Sequence, residues 1–569
     1  MARVQQRDLS CDVLVIGSGA GGLSTAITAR KAGLDVVIVE KDEHFGGTTA
    51  FSGGVLWIPG NPHARKAGIV DSRDAARTYL RRETGNFYDE QAIEAFLDAG
   101  PRMLEFFEAE TDAKFVLSGY PDYHPDVEGG ATAGRSVTAA PFDARMLGEE
   151  IRRLRPPLET ITFIGMMFNS SNDELKHFFR ATRSLTSAIY VAKRLCGHFK
   201  DIALYRRGVK VTSGNALVAR LAKTAFDLKI PLFTGTAAQR LVTADGVVQG
   251  AVLRDAAGEF AVRTRRGVVL ACGGFPHDRE RIARAYPHLA RGGEHLSPTP
   301  AANTGDGIRM AEAVGARCEI RFASAAAWMP VSKVPLGGGG TGVFPHLVDR
   351  YKPGVIAVNR GGRRFTNESN SYHDVGAAMI ADGAAGGETA AWLICDHATI
   401  RKYGLGYAKP APVPLGAFIR NGYLKSGGTL RELATAAGID ADGLEATVRD
   451  YNRDAARGED PQHHRGASAF NRYLGDGDHR PNPNVAPITR GPYYALKMIM
   501  GDLGTFDGLA TDTFARVLDA ERRAIPGLYA VGNDSASIMG GNYPGAGITL
   551  GPIMTFGYLA GRHLAGLEA

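Results

Sequence analysis

An apolar run delivers the chain into a glycine turn near the amino end, again in the middle and again near the carboxy end. Together these predict an α/β fold, α+β overall, whose nucleotide-binding domain is discontinuous in sequence and carries a second, inserted α+β domain. At 569 residues the chain exceeds the roughly 250–300 residues that one core serves, so at least two domains are expected. We place the nucleotide domain at 1–290 and 488–569, and a substrate domain at 291–487, with helical insertion at about 156–210 in the first part.

The first element is the run Asp12 to Ile16 entering Gly17-Ser18-Gly19-Ala20-Gly21-Gly22, with Glu40 closing the next run, Val36 to Val39. Gly17 permits the tight turn, Gly19 lets the backbone approach a pyrophosphate, and Gly22 lets helix pack on strand. The helix starting at Ala20 offers its unpaired N–H groups to phosphate, and Glu40 is placed to hold ribose hydroxyls. This strand, turn, helix and acid make a Rossmann-type dinucleotide site.

The next stretch, KDEHFGGTTAFSGG from Lys41 to Gly54, favours a flavin dinucleotide. Gly46, Gly47, Ser52, Gly53 and Gly54 let the main chain run against an extended cofactor, and Thr48 and Thr49 supply hydroxyls. Toward the carboxy end, Ile525 to Val531 leads into Gly532-Asn533, and Gly545-Ala546-Gly547-Ile548-Thr549-Leu550 opens a final helix. The amino terminus of that helix is expected to face the flavin pyrimidine and to stabilise negative charge on the reduced ring. The third element is Val268 to Ala271 entering Cys272-Gly273-Gly274, typical of the strand that returns to such a domain after an insertion. Non-covalent FAD is the expected cofactor, and no residue spacing suggests a metal.

These residues resemble the fumarate reductase and 3-ketosteroid dehydrogenase flavoprotein superfamily over nearly the whole chain. The His-Thr-Met-Gly-Gly segment of fumarate-reducing members is absent, since the comparable stretch reads GDLGTFDG from Gly501 to Gly508. The chain is instead similar to 3-ketosteroid Δ1-dehydrogenases. The resemblance implies a catalytic set of Tyr123, Tyr372, Tyr543 and Gly547, and flavin contacts that include Lys41, Asn303 and Asp306. Phe506-Asp507, where the family has lysine and glycine, and the long insertion after Arg155 depart from the pattern.

The implied reaction removes a proton α to a ring ketone and a hydride from the β carbon. Tyr543 hydroxyl and Gly547 N–H would grip the ketone oxygen as enolate charge develops, and Tyr372, assisted by Tyr123, would take the proton. Because a free phenol has a pKa of about 10, either the local field favours phenolate or proton loss is concerted with hydride departure. Tyr120 and His124 compete for the role of Tyr123. Tyr493 and Tyr494 are further cavity candidates, and Trp328 and Met329 fit core packing better than a pocket wall.

A 3-ketosteroid is the expected substrate, with 4,5-desaturation of 5α-reduced 3-ketosteroids, or of another cyclic ketone, as the alternative. A non-enzymatic membrane-surface module that keeps FAD as a prop is a third reading. An unidentified electron acceptor, with quinone as a candidate, would complete the cycle.

From Ser171 to Lys210 the chain is basic and carries apolar residues at Leu175, Phe178, Leu185, Ile189, Ala192 and Leu195, with a capping-box pattern at Ser171 and Glu174. Such a helix can lie on an anionic bilayer or pack on its own protein with a solvated basic face. The net charge of +6 is small for this length and gives no support for nucleic-acid binding. Five cysteines without CxxC spacing suit a reducing cytoplasm. A cytoplasmic protein is expected, peripherally associated with the inner face of the membrane if the helix docks there. The run Gly337 to Gly340 and the segment from Arg457 to Pro487 read as loops.

Overall fold

The computed structural model describes residues 9–168, 177–178, 184–319 and 322–567. Its organising layer is an eight-stranded sheet in which Leu9–Ile16 lies between Val36–Val39 and Gly258–Leu270, parallel to both. Ala524–Ala530 continues the parallel order beyond Gly258–Leu270, and Leu232–Phe233 continues it beyond Val36–Val39. Val13, Leu14 and Val15 are fully buried, as expected of a central parallel strand covered on both faces. The expected discontinuity is thus present, because strands from residues 9, 258 and 524 onward share one sheet.

Glycines bring two helices close on one face of this sheet. Helix Ala20–Lys31 packs against the final helix, Leu550–Leu564. A Cβ at Gly557 would lie 2.2 Å from Ser24 Oγ, and one at Gly561 2.7 Å from Thr28 Cβ, so the helix backbones meet where side chains would hold them apart.

A second, antiparallel sheet runs in the order Thr341–Pro345, Ala326–Pro335, Tyr493–Thr505, Ala390–Asp396, Val355–Val358, with Lys425–Gly427 beside Tyr493–Thr505. The expected boundary at 488 falls ahead of Tyr493–Thr505, yet that strand is central to the second sheet. The chain rejoins the first sheet only at Arg516–Leu518. Composition does not say which sheet a long apolar strand will join. The segment 457–487 also differs from a plain loop: it contains the helix Ala469–Leu474 and the buried side chains of Arg465, Asn471 and Asn484.

In the basic insertion, the capping-box pair Ser171 and Glu174, with Leu175, lies outside the described residues. A helix runs Leu185–Tyr205, capped by Ser184, whose side chain accepts from the N–H of Ser187. Among the described residues no helix is long and apolar enough to cross a membrane.

Candidate active site

A cavity of about 1540 Å³ runs between the first sheet and the second. It exceeds the roughly 300–1,000 Å³ typical of a single small-molecule pocket, which leaves room for a dinucleotide and a second ligand. Gly17, Gly19, Ala20, Glu40, Lys41, Gly47, Thr48, Thr49, Ser52, Gly53, Gly54, Gly273, Asn303, Asp306, Gly532, Asn533, Gly547, Thr549 and Leu550 all line it.

The residues fit a dinucleotide. Where a Cβ would stand at Gly532 there is no protein atom within 4 Å, and at Gly19 and Gly47 the nearest is 3.6 Å away, so the bare backbone forms a cradle that side chains would fill. Glu40 accepts from Ser18 Oγ at 2.5 Å and from the N–H of Asp42 at 2.9 Å, which fixes its carboxylate at the end of the second strand. Lys41 is engaged with Asp306 at 2.5 Å and Thr304 at 2.8 Å, tying the two lobes of the cradle together. Asn303 donates to Thr48 Oγ1 at 2.8 Å in the same way.

Three expected cofactor residues, Gly22, Gly46 and Gly274, stand outside the cavity lining, and a Cβ at Gly46 would meet Val218 at 2.9 Å. A Cβ at Gly22 would sit 2.1 Å from Gly17 O, and one at Gly274 2.2 Å from Thr505 Oγ1, so both serve close backbone approach behind the wall. Sequence reasoning missed Asp534. Its buried carboxylate accepts from the N–H groups of Cys272, at 2.6 Å, and Gly274, at 2.9 Å, joining the mid-chain turn to the carboxy-terminal one. The signal available was an acid next to Asn533 at a strand end. Cys272 is a small wall residue whose thiol burial pushes well above the ordinary range.

At one part of the cavity the three tyrosines converge. Tyr123 and Tyr372 hydroxyls are 3.2 Å apart. The Tyr543 ring stacks on Tyr123 at 5.5 Å and meets Tyr372 edge-on at 5.0 Å. Gly547 lines the same cavity with φ of 96°, and no hydrogen bond from its N–H to a protein acceptor is present among the described residues.

Each member is held by its neighbours. The Tyr123 N–H donates to Pro544 O at 2.8 Å, so the segments carrying Tyr123 and Tyr543 are joined directly. Behind Tyr123, buried Asp122 accepts from Trp57 at 2.7 Å and from Arg135 at 2.7 Å; burial pushes its carboxyl up to about 6, against the pull of Arg135. Tyr372 is the first residue of helix Tyr372–Ala384, where Ser371 caps the turn by accepting from the Asp374 N–H. The loop before it is anchored by a buried network in which Arg364 binds Glu368 at 2.7 Å and Asp460 at 2.7 Å. Asn471 and Arg350 bind the carbonyls of Ser369 and Glu368.

Burial drives the phenols of Tyr372, Tyr123 and Tyr543 above their ordinary range. All three are therefore neutral at pH 7, and the position of Tyr372 at a helix amino terminus favours negative charge only as it develops. His373, by contrast, is held down to about 4 by burial, and its Nδ1 accepts from the Trp328 N–H at 3.1 Å, which fixes a neutral ring.

His124 takes a positioning role. Nδ1 lies 2.8 Å from Glu83 and Nε2 3.0 Å from Asp374, so one imidazole bridges the Tyr123 segment to the Tyr372 helix. Burial opposes its charge, but Asp374 and then Glu83 outweigh that and hold it up to about 10. A folded-state pKa raised above the unfolded value of about 6.5 contributes stability that is full below pH 6.5 and lost as pH rises through 10. His124→Gln is accordingly expected to lower the unfolding temperature at pH 6 and to converge on the wild type above pH 10, as read by thermal denaturation across that range.

Tyr120 lines the cavity and packs on Tyr473. Tyr494 bonds His397 outside the cavity wall, and Trp328 and Met329 are buried in the core. Phe506 sits 6.1 Å from Tyr543, and Asp507 accepts from the Phe322 N–H.

A family model described as "FAD binding domain" matches residues 12–550. A 4-oxocyclohex-2-ene-1-carboxylate 5-dehydrogenase of Sinomonas cyclohexanicum is 43% identical, covering 99% of this chain and 95% of that protein. A 3-oxosteroid 1-dehydrogenase of Mycobacterium tuberculosis is 38% identical over 97% of this chain and 98% of its own. The crystal structure of 3-ketosteroid delta1-dehydrogenase from Sterolibacterium denitrificans in complex with 1,4-androstadiene-3,17-dione matches with a TM-score of 0.88 at 37% identity, covering 98% of this chain and 99% of that one.

Proposed function

From the premise that this chain belongs to the FAD binding domain family, and within it to the flavin dehydrogenases that include the 3-oxosteroid 1-dehydrogenases, we propose that it introduces a 1,2 double bond into the A ring of 3-ketosteroids. The observation that carries the reading is the meeting of Tyr123, Tyr372, Tyr543 and Gly547 in one cavity beside the dinucleotide cradle. FAD, when bound, accepts the hydride from ring carbon 1.

The chain's own groups do the rest. Tyr543 hydroxyl and Gly547 N–H hold the C3 ketone oxygen and stabilise the charge that gathers there as the α proton leaves. Tyr372 Oη takes the proton from carbon 2, and the hydroxyl of Tyr123 supports it through their mutual hydrogen bond. Burial keeps Tyr372 protonated at rest, so the proton is taken by the small phenolate fraction, which the hydrogen bond donated by Tyr123 stabilises and which grows as pH rises. An electron acceptor, with quinone as a candidate, reoxidises the enzyme.

A second reading, dehydrogenation of a monocyclic ring ketone by the same clamp, is favoured by the 43% identity to the Sinomonas enzyme, which is named for 4-oxocyclohex-2-ene-1-carboxylate. A panel of 3-oxo-4-ene steroids, 5α-reduced 3-ketosteroids and cyclohexanones with an artificial electron acceptor tests both. The 1,4-diene is the expected product, and turnover confined to 5α-reduced steroids would overturn the 1,2 assignment.

The insertion helix supports a peripheral membrane contact. Leu185, Ile189, Ala192, Cys196, Phe199 and Ala203 recur at intervals of four and three and share one face. That face is open to solvent: Leu185 is 79% exposed, Ile189 49% and Phe199 51%. Lys193 and Lys200 edge it, and Ser184 at its start lines the cavity. An anionic bilayer suits an apolar stripe with basic edges, and would deliver an apolar substrate near the cavity mouth. Flotation with phosphatidylglycerol vesicles is expected to carry the wild type and to lose the I189E/F199E variant. Binding to neither, or a dimer dissociated by the same substitutions, would contradict this.

A further inference from the structure

Away from the tyrosines, the cavity wall mixes apolar residues with charged ones, among them Lys352 and Lys409. Lys409 lies among Phe344, Leu405, Ala408 and Pro410, all of which line the same cavity. Its ammonium stands 5.2 Å from the ring centre of Tyr407 and 5.7 Å from that of Phe344, and among the described residues no carboxylate lies within ion-pair distance of it. Lys352 donates to the carbonyls of Leu474 at 2.8 Å and Gly475 at 3.0 Å, which leaves one ammonium proton over.

Neither ammonium reaches ion-pair distance of the carboxylates nearby. Asp349 Oδ2 accepts from His346 at 2.7 Å and from the Gly406 N–H at 2.9 Å, while its buried Oδ1 has no hydrogen-bond partner and its charge acts on both lysines only at longer range. Asp476 accepts from Lys402 at 2.8 Å and Tyr403 at 2.6 Å. Burial holds both Lys352 and Lys409 below the ordinary lysine range. A largely desolvated ammonium with no carboxylate in direct contact is costly even with Asp349 at longer range, so a pair of them on the wall of a ligand cavity points to a ligand that supplies the missing acceptor.

The geometry points to a binding subsite for a carboxylate carried by the ring ketone itself, remote from its carbonyl, with Lys409 as its principal partner and Lys352 beside it. This rests on reading the cavity as a ring-ketone site and adds the chemistry of the far end of that substrate. Of two ring ketones equal in size, the one with an ionised acid would be chosen. Lys409 contributes a charge-assisted hydrogen bond that the corresponding ester cannot accept with equal strength.

Two matched pairs test this on the FAD-loaded enzyme: a 3-oxo-4-ene steroid ending in a side-chain carboxylate against its methyl ester, and a cyclohexanone carboxylic acid against its methyl ester. Dissociation constants are read from the perturbation of the visible flavin spectrum, and kcat/KM from dye reduction. In at least one pair the acid is expected to bind about 10- to 100-fold tighter than the ester. That ratio is expected to fall to about one in K409M and to invert in K409E, with the flavin spectrum of each variant confirming a folded site.

Esters binding as tightly as acids in both pairs, or K409M keeping the preference, would overturn the inference. Displacement of the bound acid by equimolar acetate would also overturn it, by showing a site for free anions. Because binding is measured separately, tight acid binding without dehydrogenation would count against the proposed reaction and in favour of this subsite.

Discussion

Tyr372→Phe is expected to lower kcat by about 10²- to 10⁴-fold, the usual worth of a positioned proton-transfer group, with little change in KM. The substitution removes one oxygen and keeps the ring that packs edge-on against Tyr543 and at 5.8 Å against Tyr123. Its effect should therefore be chemical: the flavin spectrum and unfolding temperature stay near wild type while turnover collapses. The pH profile supplies the sign. Burial raises Tyr372 above the ordinary phenol range of about 10, and a base acts when deprotonated. The wild-type rate should accordingly climb with pH and show no plateau below about pH 10, a slope that Tyr372→Phe flattens. Steady-state kinetics from pH 6 to 10 checks both.

Gly547→Ala is expected to destabilise the protein by about 3 kcal/mol or more and to abolish FAD retention, as measured by denaturant unfolding and bound-flavin absorbance. The φ of 96° is one that a side chain adopts only under strain. The added Cβ would also stand 2.5 Å from Val55 O and 2.7 Å from Trp57 N, backbone atoms fixed by the pairing of Val55–Trp57 with Ser136–Ala139. Gly532→Ala makes the contrast. Its φ is also positive, at 72°, but nothing lies within 4 Å of the new Cβ, so the chain should fold with a modest loss of stability and bind FAD more weakly.

The parts of this site that were legible in the sequence are those where a residue type is demanded locally. Gly17, Gly19 and Gly22 are required by a turn and a close helix, and the turns at Gly273 and Gly532 follow apolar strands. Tyr543 and Gly547 lie within such a segment.

Less legible was whatever depends on distant partners. The Arg364, Glu368 and Asp460 network that anchors the loop to Tyr372 joins residues about a hundred positions apart. His124 bonds Asp374 across a separation of 250, and its neighbourhood in sequence says nothing of that partner. The placement of Tyr493–Thr505 in the second sheet depends on pairing with Ala326–Pro335 and Ala390–Asp396, which periodicity cannot choose. The exposure of Leu185 and Ile189 was equally hidden, because an apolar stripe reads the same whether covered or bare.

The proposed reaction requires ring hydrogens to leave from carbons 1 and 2 at the tyrosine cluster. Anaerobic mixing of the oxidised FAD-loaded enzyme with a 3-oxo-4-ene steroid, unlabelled and then deuterated at carbon 1, measures this directly. We predict loss of the visible flavin absorbance at a rate slowed by the label, with the 1,4-diene as product. An unchanged spectrum with steroid bound, or bleaching indifferent to the label and a product unsaturated elsewhere, would contradict it.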